Sequence, residues 1–314
     1  MKICFLTDDP SKLGGGPEHI RQVTKILQTK YGLTIDVITP LTMDQNFDLN
    51  VFWQRVRFAL WVSQFILLSN YDIYHSHSFS TTAFLPVANL FGKIVGVTIH
   101  GSGKDIVGGG VINKTFIPSF LRWLALHVWH YDFRLSTSKL KDFKVIGNGV
   151  SVEEFSHIQK KTHPGFTVLC IARRDPVKGI EILEKAIHKI KNIKLNLVFD
   201  RHWTLSDFAA AEVYVIPSLS EGLPIVLLEA MAAKLPIIAT DVGDCREIIE
   251  KANCGLVIKP GSVSELVAGI KKMMTDKNRA KMGERGRQYV KENYTWEKVA
   301  AGYYSAYSRV NSLI

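Results

Sequence analysis

Short β-type runs alternate with helical stretches along this chain, and the alternation stops once and begins again. Lys2–Thr7 (KICFLT) is followed by a Gly-containing loop and an apolar-periodic segment from Glu18 to Lys30, which together read as a strand–helix unit. Ile35–Thr39, Ile73–His77 and Ile94–His100 read as further strands, with helices over Val51–Ser69 and Thr82–Phe91 between them. A second series opens at Phe166–Ala172. It continues through a helix at Ile180–Ile190, strands at Lys194–Phe199 and Val213–Pro217, a helix at Ile225–Ala233 and a strand at Pro236–Thr240. Repeated alternation of this kind specifies parallel sheets covered by helices. Between the two series, Gly147–Pro164 carries Asn148-Gly149 and His163-Pro164, which is linker chemistry. The expectation is an α/β protein of two domains, 1–150 and 151–298, with a deep cleft between them and ligands at the carboxyl ends of strands.

Composition excludes several classes. With 46% hydrophobic and 22% charged residues among 314, the chain can bury two cores and is not disordered. Cys4, Cys170, Cys245 and Cys254 form no C-x-x-C pair, so neither a zinc ribbon nor a disulfide framework is expected, and a reducing cytosol fits. No signal-peptide core is visible after Met1, and the apolar regions Val51–Ser69 and Phe116–Trp129 are broken by charged and polar residues, so no membrane span is expected. The formal charge of +10 is spread over both halves. It suits phosphate-bearing small molecules, anionic lipid surfaces or nucleic acid. No recognition motif or basic stripe supports nucleic acid.

Four stretches at strand ends carry chemistry. Gly14-Gly15-Gly16-Pro17 leads into a helix, so it can bring backbone N–H groups to an anion, or it can be a plain turn. His100 ends another strand, either as a donor at the mouth of a site or as a structural imidazole. Arg173 and Lys178 bracket a tight loop; they can clamp a diphosphate and stabilise negative charge as it leaves, or be solvated surface charge. In Pro217–Asp241, the loop before Pro224 points amides toward a helix start, and Glu229 is the sole carboxylate in an apolar helix. Burying that carboxylate costs several kcal/mol without partners, so it is expected to face a polar site and accept from hydroxyls such as a ribose diol. Helix capping for Glu221 and a buried salt bridge for Glu229 are the alternatives.

Taken together these stretches resemble the retaining glycosyltransferases of the two-domain GT-B fold, in the large family that includes bacterial mannosyl- and glucosyltransferases and sucrose-phosphate synthases. Glu221-Gly-Leu-Pro-Ile-Val-Leu-Leu-Glu229 is similar to that family's E-x7-E signature, Ala172–Gly179 to its G-R-L-x-x-x-K-G loop, and Asn148-Gly149-Val150 to its N-G-V-D linker. Gly14–Gly16, Asp72–His77, Thr98–Gly101 and Tyr294–Glu297 occur in the family's order. The resemblance implies two Rossmann-like domains, shortened here, with a C-terminal helix over 299–314 packing back on the first. It implies that Arg173 and Lys178 bind the diphosphate of a nucleotide-diphosphate sugar and that Glu229 binds its ribose. Glu221, with the amides of Gly222 and Leu223 beside Pro224 and Ile225, would hold the transferred sugar. Gly15 and Gly16 would approach the diphosphate, and His100 would stand near the anomeric carbon.

The implied reaction moves the sugar to an acceptor hydroxyl with retention, by front-face attack through an oxocarbenium-like state. No Asp-x-Asp pair occurs in the chain, so metal-independent transfer without a cofactor is expected. The acceptor would be a glycan, a lipid-linked molecule or a protein. Aromatic and basic residues mixed in Val51–Ser69 and Phe116–Trp129 suit peripheral membrane contact as well as a core. Pro224, Lys234 and Asp244 stand where the family often has glycine, and Trp203 is either a base-stacking or a packed side chain. The competing readings are sugar-nucleotide epimerisation on a similar fold and a non-catalytic protein that binds nucleotide sugars, glycans or membrane surfaces.

Overall fold

The computed structural model describes residues 1–7, 14–45, 52–77, 88, 91–100, 133–137, 144–160, 165–199 and 203–311. The chain divides into two compact units, Met1–Gly147 with Val299–Ile314, and Asn148–Lys298. The helix expected over Thr82–Phe91, the aromatic segment Phe116–Trp129 and residues 101–105 lie largely or wholly outside the described residues.

The first unit runs β1 (Lys2–Leu6), α1 (Gly15–Tyr31), β2 (Thr34–Ile38), α2 (Pro40–Met43), α3 (Phe52–Leu68), β3 (Ile73–Ser76), β4 (Ile94–Ile99), β5 (Phe133–Ser136) and β6 (Lys144–Val145). Its strands form one parallel sheet in the order β2-β1-β3-β4-β5-β6. Ile3, Cys4, Phe5 and Leu6 of β1 are all fully buried, because helices cover both faces and a central parallel strand cannot alternate with water. α1 starts at Gly15, one turn earlier than the apolar period indicates, with Pro17 and Glu18 in its first turn, where a fixed φ and a negative charge are both favourable. It stops at Gly32, which takes the left-handed conformation at φ 64°.

The second unit runs β7 (Phe166–Ala172), α4 (Ile180–Ile187), β8 (Ile193–Phe199), α5 (Leu205–Ala209), β9 (Val213–Ile216), α6 (Ile225–Ala232), β10 (Ile237–Thr240), α7 (Cys245–Ala252), β11 (Gly255–Ile258), α8 (Val263–Thr275) and α9 (Arg279–Asn293). Its parallel sheet has the order β11-β10-β9-β7-β8. A last helix, α10 (Trp296–Asn311), begins in this unit and from Val299 onward belongs to the first. Between β8 and β9 the described residues hold only the single-turn α5, which is the compression visible in the sequence.

The stretch with linker chemistry is not a free tether. The division falls at Gly147/Asn148, and Val150, Val152 and Phe155 are buried in the core of the second unit. Val150 bridges to Thr295 and donates its N–H to the Tyr294 carbonyl at 2.9 Å. A Cβ on Gly149 would sit 2.6 Å from the Trp296 nitrogen, so glycine is needed for this approach. Asn148-Gly149-Val150 and Tyr294-Thr295-Trp296 are thus two halves of one packing motif. Trp203 packs on Phe155, with ring centroids 5.2 Å apart, and edge-on to Phe208 at 5.1 Å, which makes it a core side chain.

Lys234 keeps the backbone geometry that a helix-ending glycine would have. Its φ is 60°, and the Leu235 N–H donates to Ala230 at 3.0 Å as the helix closes. A Cβ on Gly283 would meet the Lys234 carbonyl oxygen at 2.0 Å, so α9 lies directly against this turn. A left-handed non-glycine residue costs about 1–2 kcal/mol, and the exposed Lys234–Glu284 pair at 2.8 Å returns only about 0–1. Lys234→Gly is therefore expected to raise stability by up to about 1 kcal/mol, read as a higher denaturation midpoint; a lower midpoint would show that the ion pair outweighs the backbone.

Candidate functional site

In the second unit β7 and β9 lie side by side, and the chain leaves β7 for β8 on one side and β9 for β10 on the other. The loops after β7 and β9 therefore flank a topological switch point, where the sheet end is open to a ligand. The loop after β7 is a tight turn. Asp175 Oδ1 accepts from the Val177 N–H at 3.0 Å, Pro176–Lys178 form one 3-10 turn, and Gly179 takes φ 64°. A Cβ at Gly179 would lie 2.1 Å from the Pro217 carbonyl oxygen, so the two loops touch because this position has no side chain. Leu219 then donates its N–H to the Val177 carbonyl at 2.7 Å.

That contact brings Lys178 and Glu221 together. Lys178 Nζ is 2.7 Å from Glu221 Oε1, and Ser218 Oγ donates to the same oxygen at 2.7 Å. Both charged side chains are mostly buried, so the pair is screened less than a surface pair. Glu221 is thus a partner of Lys178 and not a helix cap. Arg173, at the start of the loop, is exposed. The amides that lead into α6 are held by their own carbonyls: Gly222 accepts from the Asp244 N–H at 3.0 Å and Leu223 from Asn148 Nδ2 at 2.6 Å. A Cβ on Gly243, at φ 51°, would fall 2.0 Å from the Gly222 oxygen. Pro224 directly precedes α6 with φ −69°, and Ile225 is its first residue.

Glu229 lies in the second turn of α6 and is 8% exposed, flanked by the fully buried Leu228 and Ala230. The hydroxyl of Tyr214 on β9 is held well above the ordinary phenol range, chiefly by burial, then by Cys170, with Glu229 and Glu221 adding to it. Both carboxylates thus act on the same buried phenol. Ser218 and Gly243 were not singled out by sequence, and Asn148 only as part of a linker; Asn148 and Gly243 act through contacts with Leu223 and Gly222, far away in the chain.

In the first unit the corresponding switch point lies between β1 and β3. Gly14 precedes α1 with φ 141°, Gly15 and Gly16 form its first turn, and a Cβ on Gly16 would meet nothing within 4 Å among the described residues. His100 follows β4 directly. Its Nε2 is 3.3 Å from Nδ1 of His77, and its ring stands edge-on to His19 at 4.8 Å between centroids. Around it runs a continuous polar chain. Tyr307 Oη meets His75 Nδ1 at 2.7 Å, and His75 Nε2 meets Thr98 Oγ1 at 2.8 Å. Tyr303 donates to Thr98 Oγ1 at 3.1 Å, and its oxygen meets His19 Nε2 at 2.9 Å. His75, His77 and His100 are all held well below the ordinary imidazole range, chiefly by burial and then by neighbouring imidazoles. Among the described residues no group of three or more His, Cys, Asp or Glu side chains is placed to hold a metal ion, and no helix is long and apolar enough to cross a membrane.

Two α/β units, each with a parallel sheet and polar groups at the strand ends, define the GT-B class. Over its whole length the chain superposes on sucrose-phosphate synthase from Thermosynechococcus elongatus with a TM-score of 0.82, at 18% identity and 100% coverage of both chains. HepE of Anabaena in complex with UDP matches with a TM-score of 0.73, at 15% identity, over 98% of this chain and 100% of that one. Residues 206–289 match the family model of the glycosyl transferases group 1. A GDP-mannose-dependent alpha-(1-6)-phosphatidylinositol monomannoside mannosyltransferase of Mycobacterium tuberculosis is 35% identical over 101 residues, 30% of this chain and 26% of that protein. An uncharacterized glycosyltransferase of Methanocaldococcus jannaschii is 32% identical over 206 residues, 56% of this chain and 50% of that protein. The chain thus spans half or less of the length of these curated relatives. The fold is therefore that of the GT-B class, and residues 206–289 are similar to the glycosyl transferases group 1.

The buried histidines set a pH dependence of stability. An imidazole whose value is depressed on folding binds its proton more readily in the unfolded chain, so stability is complete above about pH 6.5 and falls as pH drops below it. Each such group contributes a slope of up to about 1.4 kcal/mol per pH unit. Urea midpoints are therefore expected to decline between pH 7.5 and 5.5, and equal midpoints would show that these rings are not buried in the neutral form.

Proposed function

We propose that this protein transfers a sugar from a nucleotide-diphosphate donor to an acceptor hydroxyl, with retention and without a metal. The observation that carries the reading is the joining of Lys178 and Glu221 across two loops at the switch point of the second sheet, with the buried Glu229 in the helix that follows. In this reading Arg173 and Lys178 take the donor diphosphate, Glu229 takes the ribose hydroxyls, and the amides of Gly222 and Leu223 with Glu221 hold the sugar. Gly15, Gly16 and His100 of the first unit are assigned to the diphosphate and the anomeric centre by the family resemblance. The names of the relatives support a nucleotide-sugar donor: the mycobacterial protein is GDP-mannose-dependent, and HepE is also described in complex with UDP-glucose.

The bond from the anomeric carbon to the diphosphate oxygen breaks while the acceptor oxygen bonds on the same face, and the acceptor proton passes to the departing phosphate. Such a step depends on stabilising charge on the leaving group more than on a strong base. Lys178 supplies that charge, and Glu221, its partner without donor, becomes free to accept from the sugar. The absence of an Asp-x-Asp pair from the sequence supports metal independence.

Nucleotide release and sugar transfer across a panel of nucleotide-diphosphate sugars test this reading, with the product's anomeric configuration read by NMR. Lys178→Ala is expected to lower kcat/KM by roughly a hundredfold through loss of leaving-group stabilisation. Glu229→Ala is expected to raise the donor KM roughly ten- to a hundredfold with a smaller change in kcat. Transfer is expected to persist in a chelator. A protein that binds donors and releases no nucleotide is a binder of the same fold.

One surface favours a bilayer as the acceptor's setting. Trp53, Arg57, Leu60, Gln64 and Leu68 fall on one stripe of α3, and Trp53, Leu60 and Leu68 are 74%, 69% and 79% exposed. An apolar stripe with a cation on a chain of net charge +10 fits an anionic membrane interface. Flotation with anionic vesicles is expected for the wild type and is expected to be lost in Leu60→Glu/Leu68→Glu; equal flotation of both would remove this face from consideration.

A further inference from the structure

His77 stands at the switch point of the first sheet, where β1 and β3 run side by side. It is the first residue past β3, and its N–H donates to the Leu6 carbonyl at 2.8 Å. Its ring is 5% exposed and packs against Phe5 at 4.4 Å, against His75 at 4.3 Å in a near-parallel stack, and against Tyr303 at 5.8 Å. Nδ1 faces His100 Nε2 at 3.3 Å, and among the described residues Nε2 has no hydrogen-bond partner. One proton serves the contact between the two rings, and it can sit on either nitrogen. If His100 supplied it, neutral His77 would carry its own proton on Nε2 as a buried N–H without an acceptor. If His77 supplies it, only a lone pair is left at Nε2. A buried orphan donor is the rarer and costlier outcome, by about 1–3 kcal/mol for an unmade hydrogen bond. A second proton is opposed by the other titratable groups packed round the pair: His19 of α1, His75 of β3 and Tyr303 of α10 are imidazoles and a phenol, not carboxylates.

We propose that His77 is a positioning residue for His100: it donates its Nδ1–H to His100 Nε2 and so fixes His100 as the neutral tautomer that carries its proton on Nδ1. His100 is then a hydrogen-bond donor toward an oxygen at the end of β4 and not a general base. The depressed imidazole values of both rings agree with a neutral pair. This assignment rests on the role given to His100 above, and it matches a transfer in which the leaving group, not a protein base, takes the proton.

The tautomers can be read in the unliganded full chain, independently of any activity. Long-range proton–nitrogen NMR of histidine-labelled protein at pH 7.5, assigned with single substitutions, is expected to show Nδ1 protonated and Nε2 bare in both His77 and His100. A proton on His100 Nε2, or averaging between tautomers, overturns the proposal. Kinetics supply the second arm. His77→Phe keeps the ring and removes the donor, and is expected to lower kcat on the order of ten- to a hundredfold while the donor KM stays within about threefold. His77→Asn places an amide N–H where Nδ1 was and is expected to retain kcat within about threefold of wild type. Wild-type kinetics in His77→Phe, or equal loss in both variants, overturns the proposal as well. Absence of transfer by the wild type with every donor would instead count against the enzymatic reading, and the tautomer measurement would then decide this proposal alone.

Discussion

Burial of a parallel sheet on both faces is the constraint on which the rest of this molecule depends. Helices cover each side, strands such as Ile3–Leu6 and Val213–Ile216 are closed to water, and the interior accepts little except apolar side chains. Chemistry is pushed to the carboxyl ends of the strands, where loops are free to carry charge and glycine. That single restriction explains why Lys178, Ser218 and Glu221 gather after β7 and β9, and why His77 and His100 follow directly on β3 and β4. It also explains the neutrality of the imidazoles, since rings lodged at the rim of an apolar sheet have little water to solvate a charge.

Close backbone approach is the second requirement. The loops of the second unit meet through Gly179 against Pro217 and Gly243 against Gly222, and at both points a single methyl group would overlap a carbonyl oxygen. The ion pair between Lys178 and Glu221 is a product of that approach. Two mostly buried opposite charges offset each other's desolvation, and the Ser218 hydroxyl adds a third partner, so the resting arrangement is held without any ligand. A diphosphate carries more charge than one carboxylate, which is why a lysine so placed suits the proposed donor.

Much of the fold was legible because buried strands announce themselves as apolar runs: Phe166–Ala172 was read to the residue, and β3, β4, β9 and β10 to within one. β5 was missed, since its four residues include Arg134. The start of α1 was read three residues late because its first turn is glycine and proline and carries no apolar period. Motifs showed which residues to watch, but not which touch. That Asn148 holds the Leu223 carbonyl, or that Gly149 must admit Trp296, follows from contacts across 75 and 147 positions, which no local pattern records. Lys234 shows the converse: a residue out of keeping with its position took the glycine geometry anyway, because Gly283 and the helix end dictate it.

The phenols of α10 carry a consequence for how the first unit is made. Tyr303 and Tyr307 complete its polar chain with His19 and His75, at sequence separations of 284 and 232 residues. During synthesis the whole second unit emerges from the ribosome before these partners do. The β1–β6 sheet must therefore wait without the two phenol hydroxyls that meet His19 and His75, and a quality-control protease or chaperone meets an unfinished domain until the closing helix arrives.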